Sequence, residues 1–136
     1  MKEITINKKE DLEMAMKEKY DVIYVVGELA EKIKNTEQLK KMSGPVLGLL
    51  IGLVLATPMT FGVSSITLIG INAAIGAAGG TAISLTTLSA VVTIGASRVF
   101  DMYKNYNIDI SRLGNGYKVT LFLRETFEKL KDKAKE

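Results

Sequence analysis

The 136-residue chain has no cysteine, no histidine and no tryptophan, and only two prolines. Without cysteine there is no disulfide framework and no thiolate nucleophile. Without histidine as well, the common zinc ligand sets and a Ser/His/Asp triad are excluded. The lack of thiols suits a reducing compartment. A further absence is local: from Met42 to Ser97, 56 residues run without Asp, Glu, Lys or Arg, so all 18 basic and all 15 acidic side chains lie outside the block. Helices and strands of a small domain ordinarily keep one polar face. A bilayer instead asks for about 20 apolar residues per crossing of a hydrocarbon core of about 30 Å. The uncharged block therefore reads as a membrane segment.

The flanks read as an α/β domain. Glu3-Ile4-Thr5-Ile6 alternates as a strand, and Asn7 with Glu10 forms a capping pair for an amphipathic helix over 8–19. Asp21 to Val26 is a β-branched and aromatic run of the buried-strand type, followed by a helix over 28–34. Asn35 and Thr36, with Gln38, are set to cap a second helix leading to Lys40 and Lys41. Beyond the block, 107–111 and 117–123 alternate around Leu113-Gly114-Asn115-Gly116, which predicts a β-hairpin, and 125–136 reads as a Lys/Glu-rich helix. The two flanks, 41 and 39 residues, are each too short for a stable core, so they are expected to complete one four-stranded sheet together.

The predicted fold class is thus a membrane α-helical hairpin inserted in a small α/β domain, in the order βαβα, two transmembrane helices, ββα. The expected parts are 1–41, a hairpin over 42–103 with spans near 45–70 and 81–103, and 104–136. Ser43-Gly44-Pro45 starts the first span and Pro58 is set to kink it. A competing division gives three shorter helices, 45–56, 62–78 and 81–100, the first too short to cross. Returning the chain to one sheet demands an even number of crossings, which favours two spans. Lys40, Lys41, Arg98 and Lys104 flank the block, so the positive-inside rule puts both termini in the cytoplasm at a bacterial inner membrane. Met1-Lys2-Glu3 runs into charged sequence, and no cleavable signal is expected.

Gly44, Gly48 and Gly52 recur every four residues, as do Gly76 and Gly80, a pattern that lets helices approach closely. Thr86, Ser89, Thr93 and Ser97 fall on one helical face, and Asn72 is the only amide in the block. Polar groups in a membrane face protein or water, so these five are candidates for a pore or a helix interface. Each hydroxyl can equally bond its own preceding carbonyl. Two helices cannot enclose a pore, so a conducting form requires a homo-oligomer. No acid/base pair or nucleophile stands out, and the chain is expected to be non-enzymatic, with no cofactor and no metal.

Val26-Gly27-Glu28-Leu29-Ala30-Glu31-Lys32-Ile33-Lys34, the uncharged block, Ile108-Asp109-Ile110 and Lys118-Val119-Thr120-Leu121 give the chain an order that resembles the small membrane effectors of bacterial anti-phage defence, the Hailong effector family in particular. The resemblance implies a tetrameric ion channel held inactive by single-stranded DNA oligomers, with a partner nucleotidyltransferase. A single-stranded ligand needs cations for phosphates and rings for bases. Arg112, Tyr117 and Lys118 form the best local group for that role, with Lys32 and Lys34 as further cations. The leading expectation is an oligomeric inner-membrane pore or channel regulated by such a ligand. The runner-up is a passive membrane-anchored scaffold that recruits a partner protein, and a further reading is a soluble oligomer that buries the hairpin until triggered.

Overall fold

The structure, a computed structural model, describes residues 1–57 and 65–135, and the backbone alone at Ser65 and Ile66. The chain divides into two compact units, one formed by Met1–Lys34 with Asp101–Glu136 and the other by Asn35–Phe100.

The first unit is built on a four-stranded mixed sheet of order β1-β2-β4-β3, from β1 (Glu3–Ile6), β2 (Val22–Val25), β3 (Tyr106–Leu113) and β4 (Gly116–Leu123). β1 pairs parallel with β2 through the crossover helix α1 (Lys9–Lys17); β2 pairs antiparallel with β4, and β4 with β3. Alternation sorts the side chains onto two faces. Ile23, Val25, Val119 and Leu121 point one way and are fully buried, and the register brings Ile6 and Ile108 to the same side. Leu12 and Ala15 of α1, with Leu29, Ala30 and Ile33 of α2 (Gly27–Lys34), complete this core. Asn7 does not cap α1: Lys8 occupies the N-cap position, with no side-chain hydrogen bond. A final helix, α7 (Arg124–Ala134), follows β4 and buries none of its residues fully.

The second unit overturns the transmembrane assignment. No helix among the described residues is long and apolar enough to cross a membrane. In place of spans at 45–70 and 81–103 there are α3 (Gly44–Ala56), α4 (Ser65–Ala77) and α5 (Leu85–Ile94), with α6 (Ala96–Asn105) running across the boundary into the first unit. The longest of these, α3 and α4, have 13 residues each, about 20 Å at a rise of 1.5 Å, which is well short of 30 Å. The transmembrane hairpin, the channel or pore, and the inner-membrane location with both termini cytoplasmic are accordingly withdrawn.

Local chemistry explains each break. Thr57 takes an extended conformation, as a residue before proline prefers, and its hydroxyl donates to Leu53 O at 2.7 Å. The kink assigned to Pro58 lies outside the described residues. The segment 71–77, which falls between the two expected spans, is helical; α4 closes with Gly80 N–H donating to Ile75 O at 2.9 Å. A Cβ at Gly80 would lie 2.7 Å from Ile75 Cγ2 and 2.8 Å from Val46 Cγ1, so only glycine fits there. Ser84 caps α5 by accepting from Thr87 N, and Gly95, at φ 109°, ends it. Inside the unit Leu50, Ile75, Leu88 and Val91 are fully buried. Each such side chain contributes about 1.5–3 kcal/mol, and this burial holds helices too short to persist alone in water.

The uncharged run is thus a set of short helices that bury one face against each other. Their outer faces carry Gly44, Gly52, Ala56, Gly70, Ala73, Gly76 and Ala77, with the exposed Leu55, Ile69 and Leu85 among them, where other proteins place charge.

Candidate functional site

β4 contributes side chains to both candidate clusters, because its residues divide between the two sheet faces. Tyr117 lies on the face covered by α2, and Lys118, Thr120 and Phe122 lie on the other. The group expected from sequence, Arg112, Tyr117 and Lys118, is therefore split. Arg112 is the register partner of Tyr117, with its guanidinium carbon 5.7 Å from the ring centroid, and Lys34 Nζ at the end of α2 is 5.5 Å from the same ring. Lys32 is exposed and stands two residues from Lys34, which turns it about 200° away around the helix. These three residues, Lys34, Arg112 and Tyr117, make one cation–aromatic cluster.

Lys118 makes the second cluster, on the opposite face, where its Nζ sits 4.7 Å over the Tyr24 ring. Tyr24 is on β2 and Phe122 on β4, the two central strands. Tyr24 pairs with Thr120 and Val22 with Phe122, so the Tyr24 and Phe122 positions are diagonal neighbours, about 7–8 Å apart. Asn107 and Asp109 of β3 are the register partners of Phe122 and Thr120 and extend the same face to the sheet edge. This face presents rings flanked by amide, hydroxyl, carboxylate and ammonium groups.

One end of it is partly roofed by α7. Phe127 meets Phe122 edge to face, with centroids 5.9 Å apart and planes at 85°. Phe127 and Leu130 remain 43% and 46% exposed, so the roof does not seal. Beneath it lies a groove of about 580 Å³, walled by Thr120, Phe122, Phe127 and Leu130, with Asn107, Asp109 and Lys131 also lining it. The volume falls in the range of small-molecule sites, about 300–1,000 Å³. Sequence reading made 125–136 a Lys/Glu-rich helix but did not join its Phe127 and Leu130 to Phe122 or Asp109. The alternation 118, 120, 122 was the signal that could have done so.

The root of α7 is tied to the sheet. Thr126 Oγ1 donates to Asp21 Oδ1, and the Lys2 amide donates to Asp21 Oδ2 at 2.7 Å. These bonds, the Thr126 hydroxyl first, hold the Asp21 carboxyl below the usual carboxylate range. Arg124 donates from Nε to Tyr106 O at 3.3 Å and from Nη2 to Tyr103 O at 3.2 Å, satisfying carbonyls at the end of α6. Tyr106, 1% exposed, donates its hydroxyl to Tyr20 O at 3.4 Å; burial first, and the Asp21 charge second, push its phenol up to about 12.

The five residues expected at a pore or a helix interface all lie in the second unit. Asn72 clamps Ile83 at two points, donating from Nδ2 to Ile83 O at 3.0 Å and accepting the Ile83 amide at 2.8 Å. Thr86, Thr93 and Ser97 are exposed and Ser89 is half-buried, and Thr93 Oγ1 donates back to Ser89 O at 2.8 Å. Gly95 separates Ser97 from the other three, so the four no longer share one continuous helix. Thr87, beside this stripe, is buried and donates to Asn35 O at 3.0 Å. Gln38, expected in a helix cap, bonds Ala82 O at 2.7 Å instead. Among the described residues no group of three or more His, Cys, Asp or Glu is placed to hold a metal ion.

The geometry defines a small mixed α/β protein with a ring-bearing sheet face partly roofed by a C-terminal helix. The chain belongs to the family described as "Uncharacterised protein PM1101", which matches residues 5–124. Among curated proteins and solved structures, none matches it.

Proposed function

We propose that this protein is a non-catalytic binding module for single-stranded oligonucleotides, which lie across the open face of the sheet. The observation that carries the reading is the placing of Tyr24 and Phe122 on the two central strands, on one face, with Lys118 beside them. A ring on each central strand offers successive stacking surfaces to unpaired bases, each worth about 1–3 kcal/mol, and stacking tolerates any sequence. Lys118 rests on the Tyr24 ring until a base takes that face, and the ammonium then turns to a phosphate. The Lys34–Tyr117–Arg112 cluster on the other face offers a second phosphate contact for a strand that passes the sheet edge.

Fluorescence anisotropy with a labelled single-stranded DNA of about one dozen nucleotides tests this. Tyr24→Ala and Lys118→Ala should each weaken binding about tenfold, and Lys118→Ala should lower the slope of log K against log salt by about 0.7. Binding that neither substitution changes, or equal affinity for duplex DNA, would remove the reading.

A second reading, a scaffold that recruits a partner protein, is favoured by Leu55 and Ile69, which are 63% and 69% exposed in the second unit. It expects Leu55→Glu and Ile69→Glu to abolish co-purification of that partner while leaving oligonucleotide affinity unchanged.

A further inference from the structure

We infer that the free edge of β3 is a self-pairing surface, on which a second copy of this chain adds its own β3 antiparallel, so that one sheet continues across both copies. The inference stands apart from the oligonucleotide reading. β1 and β3 are the two edges of the sheet, and they differ. β1 is only 4 residues long, a length that blunts an edge. β3 runs for 8 residues in unbroken one-to-one register with β4, with no proline, lysine or bulge. Arg112 does not guard this edge, because its guanidinium is drawn to the Tyr117 ring of its own sheet, 5.7 Å from the centroid. The register tells which backbone groups are free. Leu123 N–H donates to Asp21 O at 2.9 Å, so the odd-numbered residues of β4 bond β2 and the even-numbered ones bond β3. Lys118 and Thr120 therefore bond Ser111 and Asp109, and the amides and carbonyls of Ile108, Ile110 and Arg112 point away from the sheet. Among the described residues nothing bonds them.

A second β3 satisfies these groups in a register that the side chains select. Antiparallel pairing about a twofold axis sets outward residues against outward residues. Centred on Asp109, it would place two carboxylates directly opposite each other, which is unfavourable. Centred on Ser111, it would set Ile110 against Arg112 and run Ile108 onto the Gly114 turn. Centred on Ile110, it sets Ile110 against its own counterpart, Ile108 against Arg112 and Asp109 against Ser111. No like charges are then directly opposed, and each outward pair exchanges both of its backbone bonds. Ile110, half-buried at the edge, gains an apolar neighbour in each copy. The groove beneath α7 borders the same strand, with Asn107, Ile108 and Asp109 along it and the part-exposed Phe127 and Leu130 on its other side. An added strand extends the floor of that groove. An axis perpendicular to the sheet keeps its faces, so the Tyr24 and Phe122 rings of both copies look to one side, with the two β2 strands about 24 Å apart.

The chain has no cysteine, so a single introduced thiol reports the register. Ile110→Cys should give a disulfide-linked dimer on oxidation, since the opposed residues of a hydrogen-bonded pair lie about 5.5 Å apart, within disulfide reach. Leu113→Cys, exposed on the same strand, should not, because this register holds it away from its counterpart. Sedimentation equilibrium of the full chain should find a dimer, and Ile110→Pro should weaken it about tenfold or more. Proline there removes only the outward N–H and keeps the β3–β4 ladder; circular dichroism checks the fold. A monomer in which Ile110→Cys does not cross-link, equal cross-linking through Leu113→Cys, or a dimer that Ile110→Pro leaves intact would overturn the pairing.

Discussion

Asp21 sits where three segments of the first unit meet: its carboxylate accepts from Lys2 and Thr126, and its carbonyl accepts the Leu123 amide at 2.9 Å. Its folded pKa is lowered, so the stability it contributes is present above the unfolded value, about 4, and is lost as pH falls through the lower folded value. Thr126→Val should cost about 1 kcal/mol at neutral pH and flatten the acid limb of a urea-midpoint profile; an unchanged acid limb would show that the contact is not formed in solution. Tyr106 acts at the other end of the scale. With its phenol raised to about 12, its stabilising contribution is complete below the unfolded value, about 10, and lost as pH rises through about 12. Tyr106→Phe gives up the bond to Tyr20 but should lose less stability than the wild type as pH rises between those values, read as urea midpoints; an equal loss in both would contradict the buried phenol.

Single elements show why the middle of the chain reads as a membrane hairpin. Gly44, Gly48 and Gly52 have nothing within 4 Å of a built Cβ, so among the described residues the four-residue ridge is not a close helix contact. Gly80 is the tight one. Gly52→Ala should be neutral or stabilise by about 0.5–1 kcal/mol in thermal melts, whereas Gly80→Ala should destabilise by about 1–3 kcal/mol. A reversed ranking would place the packing of the second unit in error. Asn72→Ala should cost about 1–3 kcal/mol by leaving both polar groups of Ile83 unmet. Turn residues inside the block, Thr57 before Pro58, Gly80, Ser84 and Gly95, carried the helix ends in the sequence. Charge counting outweighed them because the outward positions are glycine, alanine, threonine and a few large apolar residues, none of which a charge scale marks.

For the molecule as a whole, the sheet was legible and its surface was not. Period-two alternation in 3–6, 21–26 and 117–123 and the Gly114-Asn115 turn specify strands and hairpin from local chemistry alone. Which residues meet depends on register and face, and there Tyr117 and Lys118, neighbours in sequence, part to opposite sides. The Tyr24–Lys118 and Phe122–Phe127 pairs join segments about a hundred residues apart, or a strand to its following helix, and only the folded sheet brings them into one surface. The expected salt slope follows from that surface. The most direct measurement of the central claim is a two-dimensional amide NMR titration of the full chain with a short single-stranded DNA. Shifts concentrated at Tyr24, Lys118, Thr120, Phe122 and Asp109 are the expected result. Shifts confined to Lys34, Arg112 and their surroundings, or an unchanged spectrum, would contradict it.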